Sequence, residues 1–401
     1  MGKNPDFRRY LTREAVSLAL LAGLAVVLFL GVTALSRLYH AQQESLGNRW
    51  FNRGVVDLKA QHFDRAVIEF RAALVYARDD YAYQLNLAEA LLGMQRTPEA
   101  YAYLINLWER EPDDGLVNLE LARIEAQRGQ TQQALRYYHN AIYATWVDNA
   151  SGDTSASNTS EATSIDPASK TTVDEETQRR AARLELIEFL LKINARTQAE
   201  SELIALQENA GDDPAEQAHV GDLFLRAQDY EHALAAYRAS LKLSRRDPAA
   251  LAGAGLAAFE LGRYDMAREY LQAAVNANSN DAQSADRLKT AELVLRLDPF
   301  RAGISAAQQE QAVVEAFTVA GERLKSCTAA GGTTGAEADL AADWSKMKPQ
   351  VTALGLRRNP DMAQKAMDLV FSAERQTGAG CGTPADADEA LLLIAKLREG
   401  N

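Results

Sequence analysis

Side chains suited to chemistry are few and dispersed in this chain. The five histidines, His40, His62, His139, His219 and His232, form no HExxH pair, and neither cysteine, Cys327 or Cys381, lies close to one in sequence. Zinc and metallohydrolase sites need such ligands at short, regular spacing, so no metal is expected. The sequence has no GxSxG elbow, no GxxxxGK[ST] loop and no GxGxxG after a strand, the patterns that position a nucleophile or cradle a phosphate. The run from Gly331 to Gly335 lacks the basic residue such a cradle needs and reads as a flexible connection. Carboxylate pairs occur at Asp79 and Asp80, Asp113 and Asp114, and Asp212 and Asp213. They recur at equivalent places before a helix start, where they complement free N–H groups and the helix dipole. The chain is therefore read as not an enzyme and as using no cofactor. Catalysis would require a site in the C-terminal hundred residues.

The two cysteines have a simpler chemistry open to them. Both lie at helix-to-loop boundaries in the C-terminal region. They pair if that region lies outside the cytoplasm and stand as structural thiols if it does not. A bridge closing a loop of about fifty residues would contribute roughly 3 to 4 kcal/mol. No CxxC motif points to a redox role.

The elements that carry these residues are expected to be helical. The 401 residues are 47% hydrophobic, 24% charged and only 7% aromatic, and Ala, Leu, Glu, Gln and Arg, all helix formers, recur throughout. A formal charge of −12 makes nucleic acid an unsuitable partner. Residues 15–35 carry no charge. At about 1.5 Å per residue they cover about 30 Å, the thickness of a bilayer core, and residues 1–14 form a basic stub before them. Lys3, Arg8, Arg9 and Arg13 outweigh Arg37 on the other flank, so the stub is expected inside and the rest of the chain outside. The expected location is the inner, or cell, membrane, with a single pass and an extracytoplasmic or periplasmic body. A cleaved signal peptide is the competing reading, but the apolar stretch is too long and lacks a small-x-small site. Ala15, Ala19, Gly23 and Gly31 give the span a small-residue stripe through which two copies would meet as a homodimer.

A 34-residue period organises the next 250 residues. Ala66, Ala100 and Ala134 are one triplet, and Ala199, Ala233 and Ala267 a second. Twelve residues before them lie Gly54, Ala88, Ala122, Gly221 and Gly255; four after lie Phe70, Leu104, Tyr138, Leu203, Tyr237 and Leu271. Trp50, Arg53 and Gly54 complete the pattern of the first repeat. This resembles the tetratricopeptide repeat, a pair of antiparallel helices whose crossing admits only small residues. Three repeats are placed in 47–148. Three more, with a capping helix, are placed in 180–298, the fourth with bulky Ile187 at a usually small position. The triplets are out of phase, and 149–177, rich in Ser, Thr, Asn and Asp, is expected to be a flexible linker. It carries sequons at Asn149 and Asn158. Residues 300–401 lose the period but keep helical patterning. A capping box at Ser305 and Gln308 and further helices around Trp344, from Asn359 and after Pro384 suggest a small helical bundle. The expected fold is all-α: a transmembrane helix, a repeat solenoid and a C-terminal bundle.

The resemblance implies a peptide-binding groove lined by the first helix of each repeat. Its positions fall on Asn48, Phe51, Val55 and Leu58, then Leu85 and Glu89, then Leu119 and Arg123, with Asp222, Leu225, Leu256 and Phe259 in the later triplet. The subgroup that clamps chaperone C-termini uses Lys, Asn and Arg where this chain has Phe51, Val55, Asn86, Leu116 and Glu120. Only Asn86 matches, so that activity does not transfer. A mostly apolar groove suits an extended or helical peptide. The implied function is a membrane-anchored scaffold or assembly factor for proteins outside the membrane. The alternative is a chaperone-like holder of exported or unfolded polypeptides, as in cytochrome maturation.

Overall fold

A computed structural model describes residues 5–144, 146, 167–208, 211–329, 335–381 and 383–399. All regular structure among them is helical. Helices α1 (Pro5–Lys59), α2 (Phe63–Tyr76), α3 (Tyr81–Gly93), α4 (Thr97–Arg110), α5 (Gly115–Gln127) and α6 (Thr131–Tyr143) precede the insert. After it come α7 (Pro167–Lys192), α8 (Arg196–Glu208), α9 (Pro214–Ala227), α10 (Tyr230–Leu243), α11 (Pro248–Glu260), α12 (Tyr264–Ala277) and α13 (Ala282–Leu297). The last five are α14 (Ala306–Ala329), α15 (Gly335–Met347), α16 (Ala353–Arg358), α17 (Asp361–Gly380) and α18 (Asp386–Glu399). The chain divides into two compact units, 1–189 and 190–401.

Each helix pair follows from three sequence devices. The second aspartate of each acidic pair is an N-cap: Asp80 accepts from the Tyr83 N–H at 3.0 Å, Asp114 from Val117 at 2.8 Å and Asp213 from Ala215 at 3.0 Å. Asp247 and Asp281 do the same for α11 and α13. Within each repeat the first helix ends in one left-handed residue five positions before the signature alanine: Gln61, Gln95 and Gly129, then Asn194, Gln228 and Gly262, with φ between 59° and 74°. The third device is the crossing. Ala66, Ala100, Ala134, Ala199, Ala233 and Ala267 are completely buried. The small residue upstream of each alanine and the large one downstream are two sides of one contact, since a methyl at Gly54 would stand 2.6 Å from the Phe70 ring and one at Gly255 2.6 Å from Leu271. Close packing of this kind leaves no room for an added carbon.

Three expectations change here. Residues 147–166, with both sequons, and 330–334 lie outside the described residues, while 167–177, expected in the linker, belong to α7. Ile187 is fully buried, and Phe189 beside it packs on Tyr138 of the third repeat with ring centroids 5.7 Å apart. The membrane expectation falls on α1. That helix runs unbroken from Pro5 to Lys59, but the side chains of 5–23, 25–27 and 40–41 lie outside the described set. Among the described residues no helix is long and apolar enough to cross a membrane.

In the second unit the C-terminal helices pack onto the end of the repeat array rather than standing apart. Arg287 and Lys289 of α13 pair with Glu389 and Asp386 of α18, and Arg296 reaches Glu315 of α14 at 3.0 Å. The capping box at the start of α14 is formed, with the Ser305 N–H 2.9 Å from Gln308 Oε1 and the Gln308 N–H 3.3 Å from Ser305 Oγ. Trp344 of α15 stacks on Phe317 at 4.0 Å.

Candidate functional site

The first helices of the repeats in the first unit enclose a cavity of about 440 Å³. Helix α1 brings Val55 and Leu58, α3 brings Leu85, Asn86 and Glu89, and α5 brings Leu119 and Arg123. These seven are the groove positions expected in the first triplet together with the clamp match Asn86, and they leave out Phe51 and Asn48. Phe51 is 5% exposed and packs between Tyr83, at 4.9 Å, and Phe70, at 5.7 Å. It is core. Asn48 is likewise engaged, accepting the Tyr83 hydroxyl at 2.7 Å.

Sequence reasoning missed several walls of this cavity. Leu116, named above only as a departure from the chaperone clamp, completes the repeat side with Asp114 and Lys59, Trp146 closes one edge, and Gln178 and Ala181 of α7 close another. The Trp146 indole donates to the Ala141 carbonyl at 3.0 Å and lies against Gly115, where any side chain would collide with it. The glycine opening the third repeat was the available signal. Nothing in the 34-residue pattern indicates that α7, beyond the insert, folds back on the same groove.

The polar side of the cavity is built around one guanidinium. Arg123 donates from Nε to Glu185 Oε2 at 2.8 Å and through its terminal nitrogens to Glu185 and Glu120. Hydrogen bonding to Glu185 is the main reason its proton is held more tightly than usual, against the opposing effect of burial. Burial raises the Glu120 carboxyl, the Arg123 charge and hydrogen bond pull it back, and repulsion from Glu89 and Glu185 adds to the rise. Glu89 opens to solvent, yet the concave walls desolvate its carboxyl and raise it as well, with Arg123 opposing. Three carboxylates thus share one cation, so an apolar cavity carries an acidic end. Asn86 donates to the Ala82 carbonyl at 2.9 Å within its own helix.

The later groove positions are not brought together in this way. Asp222 accepts the Tyr237 hydroxyl at 2.6 Å, and Leu225 and Leu256 are half-buried. Phe259 is 4% exposed, wedged edge-on against Tyr264 at 5.2 Å and under the Arg287 guanidinium at 4.9 Å. It belongs to the core, as Phe51 does.

A second titratable cluster lies in the C-terminal helices. Arg323 donates to Asp388 at 2.9 Å and to the Thr377 hydroxyl at 3.0 Å, and stands 3.8 Å from Glu374. Glu374 is 1% exposed, and neither carboxyl oxygen has a hydrogen-bond partner. Burial, reinforced by Asp388, pushes it up to about 8. Cys327, one turn after Arg323 in α14, and Cys381, the residue that ends α17, form a disulfide, with Cα atoms 5.4 Å apart. Among the described residues no group of His, Cys, Asp and Glu is arranged to hold a metal ion.

The comparisons bear on the repeats. Residues 85–152 and 221–284 match a family model described as Tetratricopeptide repeat. No curated protein matches the chain. Similar solved structures include the C-terminal part of a TPR repeat-containing protein from Cytophaga hutchinsonii, at 10% identity over 83% of this chain and 100% of that one, with a TM-score of 0.43. PilW, a type IV pilus biogenesis factor, is 15% identical over 61% and 98%, with a TM-score of 0.39. YrrB, a TPR protein with an unusual peptide-binding site, is 14% identical over 54% and 95%, with a TM-score of 0.38. The family match covers residues 85–152 and 221–284, and the period, the caps and the small-residue crossings carry the same helix-pair pattern through both units, an all-α solenoid of tetratricopeptide-repeat type.

Proposed function

We propose that this chain is an interaction scaffold whose first repeat array binds a protein partner through an apolar peptide segment. The observation that carries the reading is the 440 Å³ cavity, which gathers Val55, Leu58, Leu116 and Leu119 on the face formed by first helices. Apolar anchors entering such a groove supply affinity, and the few polar groups at its edge set orientation. The acidic end at Glu89 and Glu120 favours a segment with a basic side chain next to its apolar anchor. A membrane-bound location fits the same reading. Leu28, Phe29, Val32, Leu35 and Leu38 of α1 are each more than half exposed, and exposed apolar side chains of this size suit a lipid or protein surround. The basic stub sets the N-terminus inside, and the disulfide suits an oxidising compartment outside.

Chemical crosslinking in native membranes, comparing the unaltered chain with Val55→Arg, tests the function. Val55 is half-buried on the cavity wall, so the folded repeat tolerates the change while the cavity gains a charge. The expected result is selective loss of a protein partner. An unchanged set of captured proteins would sink the groove as a binding site.

A further inference from the structure

A second kind of surface, formed by second helices instead of first, occurs twice. In the first unit a cleft between α2 and α4 is lined by Arg71, Leu74, Arg78 and Tyr103. In the second unit a cleft between α10 and α12 is lined by Arg238, Leu241, Arg245 and Tyr270. Relative to the signature alanines Ala66 and Ala233, the first three residues of each set occupy the same places, five, eight and twelve positions on. Tyr103 and Tyr270 each lie three after the next signature alanine. At these places the second repeat has Ile105, Trp108 and Pro112 and the third has His139, Ile142 and Trp146, and the fourth and sixth repeats have no arginine either. The quartet therefore does not follow from the repeat fold, which forms its crossings without it.

Its charge is out of keeping with the rest of the chain. In a protein of net charge −12, the second-unit cleft sets Arg238, Lys242 and Arg245 together with no carboxylate in its lining, and the first-unit cleft sets Arg71 and Arg78 beside the single acid Asp79. Arg71 meets Glu99 at 3.1 Å, but Arg238 reaches only the Tyr270 hydroxyl at 3.3 Å and Met266 Sδ at 3.6 Å. Arg78, Lys242 and Arg245 make no ion pair among the described residues. The two arginines of each set are seven residues apart, the first on a second helix and the other in the turn after it, with a leucine between them and a tyrosine across the cleft. A single phosphate needs donors converging on one point. Separated charges with an apolar floor between them fit carboxylates spread along a helix that buries an apolar side chain midway.

We infer that these clefts are a duplicated docking surface for an acidic amphipathic helix, separate from the peptide groove and engaged once in each unit. Arg71 and Glu99 already show the carboxylate contact that the partner would make at the remaining cations.

The test uses the full chain in detergent and a fluorescein-labelled helical peptide of about fourteen residues, with Glu at seven-residue spacing and Leu and Tyr midway. Anisotropy and stoichiometry are read at low and physiological salt for the unaltered chain, for Arg78→Glu, for Arg245→Glu and for the double variant. Both residues lie in turns after their helices, and circular dichroism confirms the fold of each variant. Two peptides per chain are expected, falling to one in each single variant. In the double variant affinity should drop at least tenfold, and the peptide with Gln for Glu should not bind. Unchanged Val55→Arg binding separates this surface from the groove. Stoichiometry and affinity unaffected by the double variant would overturn the inference. So would loss of binding to phosphatidylserine vesicles with no loss of peptide, which would assign the clefts to a lipid surface.

Discussion

Arg123 of the third repeat and Glu185 of α7 are joined by a hydrogen bond of 2.8 Å between Nε and Oε2, with a second from a terminal nitrogen. This fork ties the helix that follows the insert to the array that precedes it, and so closes the cavity. Arg123→Ala leaves Glu120 and Glu185 facing each other without their shared cation. Arg123 is 38% exposed, so solvent moderates the cost, and a loss of about 1 kcal/mol is expected. Urea denaturation of Arg123→Ala and Arg123→Lys, at low and high salt, measures it. The lysine variant should recover only part, because it cannot form the fork.

The crossings make a sharper demand. A methyl at Gly255 would lie 2.6 Å from Leu271, whereas one at Gly31 meets nothing within 4 Å. Gly255→Ala should therefore destabilise the second unit by about 1 to 3 kcal/mol. Gly31→Ala should leave stability unchanged. Denaturation midpoints of the two variants check the contrast.

The left-handed turns invite the opposite change. Gln61, Gln95, Asn194 and Gln228 occupy positions where Gly129 and Gly262 stand in other repeats. A β-carbon in that conformation costs about 1 to 2 kcal/mol, offset in part by the flexibility glycine brings to the unfolded chain. Gln95→Gly is expected to stabilise by about 0.5 kcal/mol, read as a rise in melting temperature.

Glu374 gives the second unit a pH dependence of defined sign. Its carboxyl is raised to about 8 when folded, against an ordinary value near 4.3, so the folded protein holds a proton that the unfolded chain releases. The resulting stability is complete below about pH 4 and is lost as pH rises through 8, with a slope of at most about 1.4 kcal/mol per unit. Arg323, Asp388 and Thr377 are the polar groups around it, and Glu374→Gln should remove that part of the slope. Denaturation at a series of pH values from 5 to 9 checks this.

Much of the fold was legible in the sequence because its determinants are local and periodic. The alanines, the glycine before them and the aspartate caps act within one repeat, so spacing alone reveals them. The left-handed residues were hidden because three of the six are Gln, a type with no turn signature of its own. The site was harder to read. The family resemblance implied Val55, Leu58, Leu85, Glu89, Leu119 and Arg123 on one face, but it does not distinguish a residue that lines a groove from one that fills the next helix contact. Phe51 and Phe259 are of the second kind, and their ring partners Tyr83 and Tyr264 come from neighbouring helices. Trp146, Gln178 and Ala181 reach the cavity through tertiary packing across the insert, which no repeat register encodes.

The central claim is that the first array's cavity is where a partner binds. A photo-crosslinking amino acid at Leu116 on the cavity wall, compared with one at Leu256 in the second array, measures this in the full chain in native membranes. A discrete protein adduct is expected from Leu116 and not from Leu256, and Val55→Arg should reduce it at least fivefold. No adduct at Leu116, or one unaffected by Val55→Arg, would contradict the claim.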